Sequence, residues 1–134
     1  MIKQVFYAES YWKVIVWYNL DYSLFDVVAK SLHDYGMSDK GIHILYKHMK
    51  SRKAKAVTYS NLELCVSIVL FNTHESRLDY VNSIVHEAEH IKQAMLNAYQ
   101  VIDTGEPPAY TIGYLVGRMW EVFRDFVCVE FNKD

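Results

Sequence analysis

Residues 86–90 read His86-Glu87-Ala88-Glu89-His90. Two histidines four positions apart on an α-helix lie about 40° apart around the axis and about 6 Å apart along it, so their imidazoles can converge on one ion. The pair supplies half of a zinc site, and a carboxylate beside it could move protons. With six His and eight Glu in 134 residues, a shuffled chain shows His-Glu-x-x-His with a probability of roughly 1.5%. The spacing is therefore worth following into the elements that must hold it.

The segment falls inside the most regular helical pattern of the chain. Ser76, with Asp79 three residues on, has the form of a capping box and opens a helix that the pattern carries to about Tyr99. On its wheel, Ile84, Ala88, Ile91, Met95 and Ala98 form the apolar stripe, and His86 and His90 face away from it. Glu87 and Glu89 lie about 80° to either side of the mean histidine direction, so the wheel does not choose between them. The break Asp103-Thr104-Gly105 follows, and Glu106-Pro107 marks the start of a last helix reaching about Cys128.

The rest of the chain reads as strands Ile2–Ala8 and Tyr11–Tyr18 joined by a tight hairpin at Glu9 and Ser10. A helix follows from Ser23, with Leu24, Val27, Val28 and Leu32 on one face and Gly36 as its cap, then a second from Ser38 to about Met49. Two further strands, Ala56–Ser60 and Glu63–Phe71, surround Asn61. With no repeat and no linker, residues 1–134 form one α+β domain.

Composition narrows the function. Apolar residues make up 51% of the chain and charged ones 22%, which excludes disorder. The net charge is −2, so despite the basic run Lys47, Lys50, Arg52, Lys53 and Lys55 no nucleic-acid partner is expected. Tyr11-Trp12-Lys13 and Trp17 could stack on bases, but core packing is the expectation. No apolar stretch approaches a membrane span, and no leader pattern is present. Cys65 and Cys128, flanked by Leu and Val, read as free thiols in a core, and the expected location is the cytoplasm. His43 and His48 stand about 140° apart on a helix and cannot share an ion. His33 and His74 read as surface or capping residues, and Tyr99, Tyr110 and Tyr114 as packing.

Residues 86–90 resemble the signature of the zinc metallopeptidases known as zincins. That resemblance implies Zn²⁺ held by His86, His90 and a third ligand, Glu87 as general base, and a peptide or protein substrate. A metzincin would carry Gly three and His six residues after His90, where this chain has Gln93 and Leu96. The gluzincin arrangement takes a glutamate from the next helix, which leaves Glu106 and Glu121, with Asp103 as an outsider. In a straight antiparallel helix pair Glu106 would stop roughly 13 Å short of His90 and Glu121 would pass it by roughly 9 Å, so Glu106 reaches only if the turn folds back. Glu106-Pro107-Pro108-Ala109-Tyr110 resembles the Glu-x-x-Ala-Tyr segment that follows HExxH in small zincin-like proteins of phages and mobile elements, and this implies Glu106. The likeness spans residues 64–116. It departs at Tyr110, where larger gluzincins often place an aspartate that orients a histidine. The expected architecture is a small twisted antiparallel sheet packed on a zincin-like helix pair. The expected activity is zinc-dependent peptide hydrolysis, and the alternative is a catalytically silent zincin-like binding or accessory protein with structural or no metal.

Overall fold

Alternation in β1 (Ile2–Ala8) buries Gln4, Phe6 and Ala8 while Lys3, Val5 and Tyr7 stay exposed, the period-two pattern of a strand covered on one face. The structure, a computed structural model, describes residues 1–131, with side chains described through residue 126. Glu9 and Ser10 take left-handed φ values of 54° and 68° and return the chain into β2 (Trp12–Tyr18), which pairs antiparallel with β1 in the register Val5 to Ile15. β3 (Ala56–Asn61) and β4 (Val66–Phe71) also pair antiparallel, with Tyr59 opposite Ile68.

The sheet order is β1-β2-β4-β3, and its central pair, β2 and β4, runs parallel with Ile15 opposite Ile68. The fold is α+β as the element order implies, but the sheet is mixed rather than wholly antiparallel. The chain between β2 and β4 contains two helices and β3, long enough for the crossover that a parallel pair requires. Both central strands are buried on both faces, the usual setting for parallel pairing.

Helices cover each face. A 3-10 turn at Tyr22–Leu24, capped by Asp21, leads into α1 (Phe25–Asp34), and Ser38 caps α2 (Asp39–Lys50). Phe25, Val28, Leu32 and Met49 pack on Ile15, Trp17, Val66, Ile68 and Leu70. Leu24 and Val27, expected on the buried face, are exposed: Leu24 ends the 3-10 turn, the helix starts two residues after Ser23, and Phe25 takes the inward position. On the opposite face α3 (Arg77–Tyr99) and α4 (Glu106–Phe131) pack Tyr80, Ile84, Ala88, Ile91, Leu115, Met119 and Phe123 on Phe6, Val14, Val16, Tyr18, Val69 and Phe71. Each fully buried side chain of this size contributes about 1.5–3 kcal/mol. α3 touches β3 and β4 while α4 touches β1, so α3 has the β3 edge on one flank and α4 on the other.

β4 starts later than its apolar sequence suggests. Residues 62–65 form a turn in which Cys65 has φ 53°, and its side chain packs against the edge of the core, partly rather than fully buried. The side chain of Cys128 lies outside the described residues. No helix among the described residues is long and apolar enough to cross a membrane.

Candidate metal centre

α3 is fixed at both ends by its sequence. Ser76 Oγ accepts from the Asp79 amide at 3.1 Å, while the Asp79 carboxylate turns to Lys55 at 3.1 Å instead of closing the box. At the other end Gln100, with φ 56°, lets the Val101 amide reach back to the Leu96 carbonyl. Between these ends the apolar stripe sits on the sheet, leaving His86 and His90 exposed.

The two exposed imidazoles converge. Their rings meet edge to face with centroids 4.8 Å apart, and His86 Nε2 lies 3.1 Å from His90 Nε2. Two nitrogens on a tetrahedral ion, each about 2.0–2.1 Å from it, stand about 3.3 Å apart, so the observed spacing fits a shared zinc. When no ion is shared, one Nε2–H donates to the other ring's lone pair at this distance.

Glu87 and Glu89, equivalent on the wheel, have different fates because different neighbours flank α3. Glu87 turns toward β3 and is only 3% exposed. Its Oε1 accepts from Thr58 Oγ1 at 3.0 Å, and its Oε2 lies 4.0 Å from His86 Nε2. Ligand atoms of His86, Glu87 and His90 all lie within 4.8 Å of one another. Glu89 turns the other way, accepting from Gln93 Nε2 at 3.0 Å and pairing with Lys92 at 2.9 Å. The Gln93 and Lys92 bonds hold its carboxyl below the usual range.

None of the three acidic residues expected as a third ligand is gathered into this cluster. Glu106 opens α4, exposed, and does not belong to the group formed by His86, Glu87 and His90. Glu121 pairs with Arg118 at 3.3 Å, and the Arg118 carbonyl accepts from Gln4 of β1 at 2.7 Å, over the sheet edge opposite β3. Asp103 is held by Lys92 at 3.1 Å and by Gln93. The loop after α3 therefore folds back along it, bringing Asp103 beside residues that follow His90 by less than one turn.

An open cleft of about 500 Å³ lies between α3 and β3, with Ala56 and Thr58 on the strand side and Ser83, His86, Glu87 and His90 on the helix side. The Lys55–Asp79 ion pair lines the same cleft. Ser83 is held from behind by His74, which is 6% exposed rather than at the surface. His74 Nδ1–H donates to the Asn72 carbonyl at 2.6 Å, so its Nε2 accepts from the Ser83 hydroxyl at 2.6 Å. Burial pushes the His74 pKa down, against that backbone bond.

Thr58 and the His74–Ser83 pair are site residues that the sequence reading passed over. The available signal was alternation: Ala56, Thr58 and Ser60 share one face of β3, and a small polar residue there needs a partner across the sheet. His33, His43 and His48 are exposed and outside the cluster. Trp12 and Trp17 are buried in the core and offer no exposed stacking face. Tyr114 donates to the Tyr7 carbonyl at 3.0 Å, Tyr99 packs against Tyr11 and Trp12, and Tyr110 is exposed. Compared with protein-family models, with curated proteins and with solved structures, the chain matches none.

Proposed function

We propose that this protein is a single-domain zinc metallopeptidase in which His86, His90 and Glu106 hold the metal and Glu87 is the general base. The observation that carries this reading is the 3.1 Å convergence of the two Nε2 atoms beside a buried carboxylate. When bound, Zn²⁺ lowers the pKa of a water ligand toward about 7 and polarises the substrate carbonyl. Thr58 holds Glu87 Oε1 and leaves Oε2 on the histidine side to take the proton of the attacking water. The same carboxyl then delivers that proton to the leaving amine. β3 is an edge strand, so an extended peptide can add to it along the cleft and bring a carbonyl to the histidines. Glu106 is named as third ligand on the likeness of Glu106-Pro107-Pro108-Ala109-Tyr110 to the segment that follows HExxH in small zincin-like proteins; the loop through Asp103 turns back along α3, while Glu106 itself stands outside the His86–Glu87–His90 group. Among the described residues Cys65 forms no disulfide, in keeping with a cytoplasmic location, and the buried tryptophans and net charge of −2 give no support to a nucleic-acid partner.

A second reading, a zincin-like binding or accessory protein without turnover, draws on the exposed position of Glu106 outside the cluster. Glu87→Gln separates the two. The peptidase variant keeps one zinc per chain and loses cleavage of an unstructured protein such as casein, whereas an accessory protein shows no cleavage before or after the change. Wild type that retains no zinc after gel filtration, or His86→Ala that retains as much as wild type, overturns the peptidase reading and leaves the accessory protein without metal at this site.

A further inference from the structure

We propose that Ser83 is the nucleophile of a second, metal-independent site in the cleft between α3 and β3, with His74 as its base and a carboxylic ester as the acyl donor it attacks. Ser83 is half-buried and lines the helix side of the cleft, one turn before Glu87. Its hydroxyl donates to His74 Nε2 at 2.6 Å, and Nδ1–H of the same ring donates to the Asn72 carbonyl at 2.6 Å. Nucleophile, base and orienting acceptor joined in one hydrogen-bonded chain is the arrangement that activates a serine. The bond satisfies a buried ring, and it also polarises the hydroxyl of a residue on the wall of an open cleft.

The base is rigidly placed. The Tyr80 ring lies against the imidazole with centroids 4.3 Å apart. Asn72, 2% exposed, is fixed by its own side chain: Nδ2 donates to the Met49 and Ala54 carbonyls, each at 3.0 Å, and Oδ1 accepts from the Tyr22 hydroxyl. With the Asn72 carbonyl so held, Nδ1 keeps the proton and Nε2 keeps the lone pair. Burial lowers the His74 pKa, which keeps the ring neutral near neutral pH. Asn82 and Lys55 line the same cleft, so N–H donors for a developing oxyanion are within it.

In the first half of the reaction Ser83 Oγ bonds to the ester carbonyl carbon as its proton passes to His74 Nε2. The bond from that carbon to the alcohol oxygen then breaks, and His74 returns the proton to the departing alcohol, leaving an acyl ester on Ser83. Water repeats the two steps, with His74 again taking and returning the proton, and releases the carboxylic acid and free Ser83. Neither His86 nor His90 takes part, so this site stands or falls apart from the zinc reading.

The test uses the full chain with EDTA throughout. Reaction with a fluorophosphonate probe, which bonds covalently to activated serines, is mapped by peptide mass spectrometry, and hydrolysis of p-nitrophenyl acetate is followed by p-nitrophenol release. Native wild type should take the label at Ser83 at least about a hundredfold faster than the same chain unfolded in urea, and should hydrolyse the ester. Ser83→Ala should abolish the label and the hydrolysis, and His74→Gln with wild-type circular dichroism should slow both about a hundredfold. Should His74→Gln not fold, the comparison of native with unfolded wild type decides. Native Ser83 that labels no faster than in urea overturns the proposal, as does a folded His74→Gln that labels at the wild-type rate or a Ser83→Ala that hydrolyses the ester as fast as wild type.

Discussion

Thr58 donates its hydroxyl to Glu87 across the gap between the sheet edge and α3, at 3.0 Å, and so turns one carboxylate oxygen away from the histidines and the other toward them. Neither residue predicts the other in sequence, since 29 positions separate them.

Thr58→Val keeps the side-chain shape but leaves a buried carboxylate oxygen without its donor, a loss of about 1–3 kcal/mol. The urea midpoint should fall, and cleavage should slow with kcat affected more than KM. Thr58→Ser restores the hydroxyl and should return both toward wild type. A valine variant as stable and active as wild type would remove Thr58 from the site.

His86 and His90 are exposed, so alanine at either should leave metal-free stability within about 0.5 kcal/mol of wild type. Zinc should separate them: at 100 times the dissociation constant it stabilises wild type by about 2.7 kcal/mol and neither variant by a comparable amount. Melting curves with zinc and with a chelator measure this directly.

Acid should act through His74. Its folded pKa lies below the ordinary 6.5 because burial disfavours the charged ring. The unfolded chain therefore binds the proton first, and this contribution to stability is complete above about pH 6.5 and is lost as pH falls through the lowered folded value. Lys55 and Arg52 nearby also disfavour the charged ring, while Asp79 favours it. His74→Asn should flatten the dependence of the urea midpoint on pH between 7 and 5; an unchanged slope would assign that dependence elsewhere.

Gly36→Ala should destabilise by about 1–2 kcal/mol. Gly36 has φ 97°, and an added Cβ would come within 2.7 Å of Asn61 Nδ2. Asn61 donates to the Tyr35 carbonyl at 3.0 Å, so the clash strikes the contact joining the end of α1 to β3. Equilibrium urea unfolding reads the loss.

What could be read in the sequence was local. Ser76 marked the start of α3 and the pattern carried it to Tyr99, because capping and helical period depend on residues within a turn of each other. The wheel placed both histidines away from the apolar stripe for the same reason. The parallel pairing of β2 with β4 was hidden, since strand direction is set by the path of the intervening chain and not by the strands themselves. The unequal treatment of Glu87 and Glu89 depends on which element lies on each flank of α3, which the wheel of one helix does not contain. His74 looked solvent-facing in a polar link, but the link folds under Tyr80, whose ring lies 4.3 Å from the imidazole.

The parallel centre of the sheet also fixes an order of assembly. β1 and β2 can zip together as a hairpin as soon as both exist, but the inner edge of β2 has no partner until Val66–Phe71 has been synthesised and folded back past α1, α2 and β3. Through that interval a strand reading Trp-Lys-Val-Ile-Val-Trp-Tyr shows open amides and carbonyls to other nascent chains. Aggregation during refolding should therefore begin at β2, and truncations ending before β4 should precipitate where the full chain stays in solution.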